Sequence, residues 1–497
     1  MTALGDLIKQ GKKVAAHRPQ PRAVVNAKTW TLAAAALGQG RLTLLGLWGD
    51  KAFVHMALLD EAARDFAVLS LACKTGRFPS VGHAHPPAIR LERTIHDLYG
   101  LLPDGAPDMR PWLDHGQWPG HRKRAATDYS FLPAKGEHLH QIAVGPVHAG
   151  IIEPGHFRFT ANGETVVRLE ERLGYTHKGV EKLMAGAYLD RAAKLAGRVS
   201  GDSAVAYAVA FARAAEAALG IEAPPRAHYL RALMAELERL ANHFGDIGAI
   251  CNDASFSLMH AHCGVLRERV LRAADAAFGH RLMCDCALPG GVASDLGKDG
   301  IAAIGDLIDE AKRRFPDLVN LYDNTASLQD RTVGTGVLRP ELARRFGAGG
   351  YIGRASGRSF DARRDFAYAP YDQLKFEVPG RDEGDVNARI WIRIREVEQS
   401  LDLIGQILKR LPAGEIRAAL PKPGRAAREG VALVEGFRGD ILVWLRLGRD
   451  GKVERCHLRD PSWFQWPLLE AVIENNIVAD FPLCNKSFNC SYSGHDL

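Results

Sequence analysis

Short runs of mainly apolar residues, separated by polar ones, mark the start of this chain. Residues 42–47 and 53–58 are rich in apolar and β-branched side chains, which favours strands. A helix is predicted over residues 87–99. Further on, residues 156–160 and 164–171 flank Asn162-Gly163, a dipeptide that accepts positive φ at both central turn positions. This pattern predicts a small α+β unit followed by a β-hairpin.

A helical period of apolar positions dominates the middle of the chain. Residues 226–247 form one apolar stripe, and residues 390–411 predict a second long helix. On that second helix Arg389, Arg393, Glu396 and Ser400 fall on one face because they are spaced by four, three and four residues. We interpret this face as solvated, and the alternative is a buried ion network.

The last third of the chain combines strands with a final helix. Residues 431–434, 440–447 and 453–458 predict a small antiparallel sheet, and residues 466–475 predict the helix. The predicted fold class is therefore α+β, with a small N-terminal α/β domain and a large, mainly α-helical domain that carries a small antiparallel sheet. The expected boundaries are 1–120 for the first domain, 121–140 for a linker and 141–497 for the second.

Composition narrows the function classes. Of the 497 residues 46% are hydrophobic and 25% charged, as in ordinary globular proteins. No run approaches the about 18 apolar residues that a membrane-spanning helix needs. The net charge of +6 is spread along the chain and does not alternate with aromatic residues, which argues against nucleic-acid binding. The basic residues between Lys9 and Arg18 are interpreted as a solvated tail, with contact to anionic lipid as the alternative.

Two local patterns resemble cofactor sites superficially. Histidines and cysteines between Cys251 and Cys286 offer zinc-type ligands, but none of the eight cysteines forms a Cys-x-x-Cys pair. The glycine cluster at 347–353 resembles a dinucleotide fingerprint, but it follows a charged segment rather than an apolar strand. We therefore expect buried structural cysteines, no metal and no cofactor on this chain.

Ordered motifs resemble two subunits of respiratory complex I. The strings RTIHDLYG at 93–100, PD at 107–108 and RPWL at 110–113 resemble the small hydrophilic C subunit. From Gly145 onward the chain resembles the D subunit, which is homologous to nickel–iron hydrogenase large subunits. The D-type segments are GPVH at 145–148, THKGVEK at 176–182, ELER at 236–239, PGGV at 289–292, RASG at 354–357 and IVADFP at 477–482. A fused C–D arrangement is typical of the large subunits of formate-hydrogenlyase-type and hydrogenase-4-type membrane complexes.

The hydrogenase resemblance is incomplete at the metal site. The family's four nickel-binding cysteines correspond to Ser200, Ser203, Ser491 and Gly494 in this sequence. Alcohols and a bare Cα cannot replace soft thiolate ligands. The resemblance therefore implies a hydrogenase-type scaffold without a nickel–iron centre.

Complex I D subunits lack the same cysteines, and the resemblance implies a quinone cavity instead. It assigns His148 as the residue that hydrogen-bonds a quinone headgroup, paired with Asp253. Such a carboxylate fixes the imidazole tautomer, and the imidazole can protonate a reduced quinone. The family's quinone-binding tyrosine should lie within 191–200, where this chain has no tyrosine and Lys194 stands near the expected place.

Two functions follow from the resemblance. In the first, the chain is the cavity subunit on the cytoplasmic face of the inner membrane, in a complex that transfers electrons to a quinone or similar acceptor and moves ions. Its expected partners are an iron–sulfur small subunit like the complex I B subunit and antiporter-like membrane subunits. Glu153, Glu181 and Asp202 are candidates for proton coupling, although each could equally form a structural salt bridge. In the second, the chain is a non-redox scaffold or coupling module of an ion- or solute-moving complex.

Overall fold

The computed structural model describes residues 3–116, 118, 129–422, 424 and 426–497. The first unit contains three helices, eight strands and a 3₁₀ helix among these residues. They are α1 (Ala3–Lys9), β1 (Lys12–Lys13), β2 (His17–Arg18), β3 (Arg22–Val25), α2 (Ala27–Gly38), β4 (Thr43–Gly49), β5 (Phe53–Asp60), β6 (Asp65–Ala72), β7 (Arg77–Pro79), the 3₁₀ helix Pro86–Ala88, α3 (Ile89–Tyr99) and β8 (Leu102–Asp104). The strands predicted at 42–47 and 53–58 and the helix predicted at 87–99 are confirmed.

The first unit is built on a five-stranded sheet with the order β1-β3-β6-β5-β4. Strands β4, β5 and β6 pair antiparallel, whereas β3 runs parallel to β6. Helix α1 buries Leu4, Leu7 and Ile8. The N-terminal segment is therefore part of the folded unit and not a tail, although the lysines and the arginine between Lys9 and Arg18 are exposed to solvent as expected.

A three-stranded sheet opens the second unit, and helices follow. The sheet contains β9 (Leu139–Val144), β10 (His156–Asn162) and β11 (Thr165–Arg172). The helices and short strands that follow are α4 (Val180–Met184), α5 (Leu189–Ala196), α6 (Ala204–Leu219), α7 (Pro225–Asp253), α8 (Ser257–Phe278), β12 (Ala287–Leu288), β13 (Gly291–Val292), α9 (Lys298–Asp323), α10 (Ala326–Thr332), α11 (Pro340–Arg345), α12 (Gly350–Arg354), α13 (Ala362–Asp365), the 3₁₀ helix Tyr371–Gln373 and α14 (Val386–Arg410). Strands β10 and β11 pair antiparallel around Asn162-Gly163, as predicted.

The predicted linker spans residues whose structure is described only in part. Residues 121–128 lie outside the described residues, and β9 already begins at Leu139. The domain boundaries at 120 and 140 stay predictions.

The last part of the chain forms a sheet followed by helices. These elements are β14 (Arg428–Gly436), β15 (Gly439–Leu447), β16 (Val453–Arg459), α15 (Ser462–Val472), the 3₁₀ helix Val478–Asp480, α16 (Phe481–Phe488) and α17 (Tyr492–Asp496). The predicted antiparallel sheet is confirmed. Helix α15 begins four residues before the predicted start, and Asp460 accepts a hydrogen bond from the Ser462 amide at its first turn (2.8 Å).

The first unit adds a strand to this last sheet. Its order is β16-β15-β14-β2, and β2 pairs parallel with β14. Beside this strand, Arg22 donates to both carboxylate oxygens of Glu429 at 2.8 Å. Arg446 donates to Glu429 at 2.9 Å and to Asp50 at 3.1 Å. The two units therefore share both backbone pairing and buried charge.

The polar face of α14 is buried. Arg389, Arg393, Glu396 and Ser400 are each at most 1% exposed. Arg354 donates to Glu396 (2.8 Å) and Glu435 (2.9 Å), while His243 contacts the other Glu396 oxygen at 2.7 Å. The interpretation of this face as solvated is wrong, because charged side chains of α7, α12 and β14 surround it inside the core.

The glycine cluster at 347–353 serves close packing. Gly350 has φ +61° and lies where an added Cβ would overlap the Arg438 carbonyl oxygen. The α12 backbone therefore approaches the β14–β15 turn as closely as glycine permits. Within the described part of the chain, no helix is long and apolar enough to cross a membrane.

Candidate functional site

A cavity of about 260 Å³ lies between the tail of the chain and the turn before α6. Four of the residues singled out by sequence, Glu153, Ser200, Asp202 and Ser491, line it. Ser203 lies just behind, with its Oγ at 3.4 Å from Arg438 Nη1. Residues remote along the chain therefore meet at one site, with two of the family's thiolate positions in its wall.

The local fold fixes the two serines that face each other. Ser200 stands in the turn that joins α5 to α6, while Ser491 is the N-cap of α17 and accepts a hydrogen bond from the Gly494 amide at 2.9 Å. Their hydroxyl oxygens lie 2.8 Å apart. Ser200 Oγ also lies 2.8 Å from Asp202 Oδ1, to which it donates. A hydroxyl carries one proton, so Ser491 must be the donor to Ser200.

The result is a directed chain of hydrogen bonds that ends on Asp202. Burial alone would raise the pKa of Asp202, but the Arg438 guanidinium and the Ser200 hydroxyl outweigh this effect and hold the pKa below its usual value. Arg438 Nη1 donates to Asp202 Oδ1 at 2.6 Å, and its Nη2 donates to Oδ2. Asp202 is therefore an ionised, paired carboxylate at the cavity wall.

Gly494, which the sequence comparison assigns to the family's fourth cysteine, has no room for a side chain. A Cβ added at Gly494 would overlap Asp460 Oδ2 and lie 2.8 Å from Ser491 Oγ. Asp460 is fixed there by the Tyr207 hydroxyl, which donates at 2.6 Å, and by the Ser462 amide. Among the described residues, no group of three or more His, Cys, Asp or Glu side chains could hold a metal ion. Hydroxyl groups and a filled fourth position do not fit a nickel–iron centre.

Lys486 and Glu153 are charged side chains in the wall with spare hydrogen-bonding capacity. Glu153 Oε2 accepts from the Ser493 amide at 2.9 Å, and Lys486 has no carboxylate at salt-bridge distance among the described residues. Asp253 lies near Lys486. Burial raises the pKa of Asp253, and the Lys486 charge only partly offsets that effect.

His148 stands on the loop between β9 and β10, which also carries the exposed side chains Val147 and Ile151. Its Nε2 donates to the Gly155 carbonyl at 2.8 Å. In the described structure no hydrogen bond or salt bridge joins His148 to Asp253, and neither residue lines the cavity. The inferred His148–Asp253 pair stays a prediction.

Glu181 lies outside the cavity wall and ties α4 to β16. It accepts from Arg455 Nη1 (2.7 Å), His457 Nδ1 (2.8 Å) and the Leu458 amide (3.0 Å). Burial would raise its pKa, but the Arg455 and His457 charges and hydrogen bonds lower the pKa to about 2. This geometry favours the structural salt bridge over a proton-coupling role.

Sequence reasoning missed Arg438, Tyr207 and Asp460. Arg438 stands in the tight turn between two predicted strands, and it is only 3% exposed. The sequence signal that could have identified Arg438 is its charge at the turn between two apolar strands. Nothing in the sequence pattern indicated that Tyr207 and Asp460 would meet, because they are far apart along the chain.

A 30 kDa-type unit followed by a 49 kDa-type unit defines a subunit of the complex I and hydrogenase class. The profile "Respiratory-chain NADH dehydrogenase, 49 Kd subunit" matches residues 254–429, and "Respiratory-chain NADH dehydrogenase, 30 Kd subunit" matches residues 46–130. This chain belongs to the family of fused 30 kDa/49 kDa-type subunits of oxidoreductase complexes, which includes formate hydrogenlyase subunit 5 and hydrogenase-4 component G.

Individual relatives span most of the chain. Formate hydrogenlyase subunit 5 of Escherichia coli is 33% identical, covering 84% of this chain and 77% of that protein. The C/D subunit of the NADH-quinone oxidoreductase of Phocaeicola vulgatus is 28% identical, with 87% and 90% covered. A chain in the structure of the membrane-bound sulfane sulfur reductase, an archaeal respiratory membrane complex, superposes with a TM-score of 0.69 at 26% identity, covering 72% of this chain and 99% of that one.

Proposed function

We propose that this chain is the hydrophilic cavity subunit of a membrane-bound, energy-converting oxidoreductase complex. It takes electrons from an iron–sulfur small subunit like the complex I B subunit and passes them to a quinone or similar acceptor without a nickel–iron centre. The reaction drives ion translocation through antiporter-like membrane subunits, with this chain on the cytoplasmic face of the inner membrane. A hydrogenase component and an NADH-quinone oxidoreductase subunit among its relatives, and the similar chain of a respiratory membrane complex, support this assembly.

The observation that carries the proposal is the hydrogen-bond chain at the former thiolate positions. Ser491 donates to Ser200, and Ser200 donates to Asp202, at the wall of a cavity large enough for a small acceptor. A two-electron acceptor takes up two protons when it is reduced. A proton that Asp202 takes up from solvent would reverse both hydroxyl bonds, so that Asp202 donates to Ser200, Ser200 to Ser491, and Ser491 to the acceptor's oxygen. The partner's cluster supplies the electrons, while this chain orients the acceptor and handles its protons.

The polar lining of the cavity also limits which acceptors can bind. Ligand pockets for ring-shaped molecules are mostly apolar, whereas this wall carries hydroxyl, carboxylate, amide and ammonium groups, as in Ser491, Glu153, Asn485 and Lys486. A quinone headgroup would therefore have to use the exposed loop of His148 for its apolar contacts. Assays should include small polar acceptors beside quinones.

Partner identification is the first test. The tagged chain is purified from mildly solubilised membranes, and everything that co-purifies is identified by mass spectrometry. We expect an iron–sulfur small subunit together with antiporter-like membrane proteins. Membrane partners without a cluster-bearing subunit would remove the electron supply and establish the scaffold function instead.

The second test is His148→Ala in the purified complex. The partner's clusters are reduced chemically, and their reoxidation by ubiquinone-1 or a small polar acceptor is followed spectroscopically. We expect the variant to abolish reoxidation while every partner still co-purifies. His140→Ala, which removes an exposed histidine of β9, is the matched control. A silent His148→Ala would contradict the redox function.

A further inference from the structure

A second pocket, of about 290 Å³, lies at the seam between the two units. Its wall contains Arg64 from the turn between β5 and β6, and Arg344, Arg358 and Arg364 from the second unit. Four arginines therefore line one pocket, and the guanidinium of Arg358 is buried in its wall. The pocket shares no lining residue with the cavity of Ser200 and Ser491.

The two acidic residues of this pocket are already partnered. Glu61 Oε1 accepts from Arg358 Nη2 at 2.8 Å and from the Thr43 hydroxyl at 2.8 Å. Asp365 accepts from Arg364 at 2.9 and 3.0 Å and from the Asp361 amide. These pairs use two of the four positive charges.

Arg64 and Arg344 differ from the other two arginines of the pocket. Among the described residues, neither guanidinium has a carboxylate at salt-bridge distance, and the Arg344 side chain makes one long hydrogen bond, 3.5 Å to the Gly357 carbonyl. Four arginines and two carboxylates leave a net charge of +2 in the pocket. Arg64 and Arg344 come from different units and line the same pocket.

We propose that this pocket binds a phosphate group, held between Arg64 and Arg344. A phosphate dianion matches the net charge, and guanidinium forks bind phosphate oxygens in a bidentate manner. The Ser359 hydroxyl, which accepts from Arg364 Nη1 at 3.2 Å, has a proton to donate to a further oxygen. Because the site joins the two units, the bound phosphate stabilises their contact. The phosphate is either free in solution or the headgroup of an anionic lipid.

The test is a titration of the purified full-length chain with inorganic phosphate, by calorimetry and thermal unfolding at constant ionic strength. We expect saturable binding and a higher unfolding temperature in phosphate than in chloride. Removing one charge-assisted contact by Arg64→Gln or Arg344→Gln should weaken binding by about tenfold or more. The control is Arg395→Gln, which removes a guanidinium 58% exposed on α14, outside the pocket.

A second arm separates the two sources of phosphate. The same variants are sedimented with phosphatidylcholine vesicles that contain phosphatidylglycerol. Binding to vesicles that depends on Arg64 and Arg344, without binding of inorganic phosphate, would assign the ligand as a lipid headgroup. Absence of binding in both arms, or equal losses in Arg395→Gln and the pocket variants, would overturn the proposal.

Discussion

The protein holds two polar clusters that differ in how their charges are partnered. Inside the core, Arg354, Glu396, Glu435 and His243 are paired with one another with almost no exposure to solvent. At the cavity, hydroxyls and one salt bridge line open space, and Lys486 and Glu153 keep hydrogen-bonding capacity to spare. The core cluster is therefore built for structure, whereas the cavity cluster is built to meet a ligand.

The comparison makes opposite predictions for stability and for activity. Removing a partner from the core cluster leaves a charge stranded in low dielectric, which destabilises the fold strongly. Removing the Ser200 hydroxyl leaves Asp202 paired with Arg438, so no charged group is left without a partner and the cost in stability is small. The cavity substitution should instead act on turnover.

The largest effect is expected for Glu396→Gln. The substitution removes the buried negative charge that Arg354, Arg239 and His243 share and leaves Arg354 with Glu435 and the more distant Asp361. We expect a loss of about 3–5 kcal/mol in the free energy of unfolding, measured by denaturant titration. The control is Asp402→Asn, because the Asp402 carboxylate is 62% exposed and pairs with Lys312 at 2.8 Å. An exposed pair contributes at most about 1 kcal/mol. Equal losses in the two variants would contradict the structural role of the core cluster.

The next largest effect is expected for Glu181, whose contribution to the free energy of unfolding depends on pH. Its pKa is lowered from 4.5 to about 2, which corresponds to roughly 3 kcal/mol. Because the folded pKa lies below the unfolded value, this stabilisation is fully present above about pH 4.5 and is lost as the pH falls towards 2. Glu181→Gln should therefore destabilise the protein at neutral pH and much less near pH 2, by denaturant titration across this range. Glu164→Gln, which makes the same change at an exposed site, is the control.

A smaller loss is expected for Gly494→Ala. The added Cβ meets Asp460, and overpacking of this kind costs about 1–3 kcal/mol. Gly405→Ala is the control, since that helical glycine has no atom within 4 Å of the added Cβ and should gain up to about 1 kcal/mol in helix propensity. If thermal unfolding shows Gly494→Ala to be as stable as wild type, the fourth thiolate position is open after all.

The smallest change in stability is expected for Ser200→Ala. Losing its hydrogen bonds to Asp202 and Ser491 should cost about 1 kcal/mol. Turnover of the complex should fall about a hundredfold, because the hydroxyl chain is broken. Ser493→Ala changes another residue of the cavity wall and should keep full activity in the same reoxidation assay. Equal activities in the two variants would show that the hydroxyl chain does not take part in proton transfer.

Much of the fold followed from local patterns. The apolar, β-rich runs at 42–47 and 53–58 and the turn dipeptide Asn162-Gly163 predicted elements that the structure confirms, because strand propensity and turn chemistry are local properties. The serines at the thiolate positions were also predictable, since they follow from motif order. The burial of the α14 face was not, because one helix does not reveal which elements cover it.

The sequence by itself determined the two-unit architecture, the family and the absence of thiolates at positions 200, 203 and 491. Only the tertiary structure decided that Ser200 meets Ser491, that Arg438 neutralises Asp202, and that Asp460 fills the space beside Gly494. It also showed that Glu181 lies outside the cavity wall and is bound by Arg455, His457 and the Leu458 amide. The physical reason is that hydrogen bonds, charge pairing and excluded volume depend on distances between residues remote along the chain.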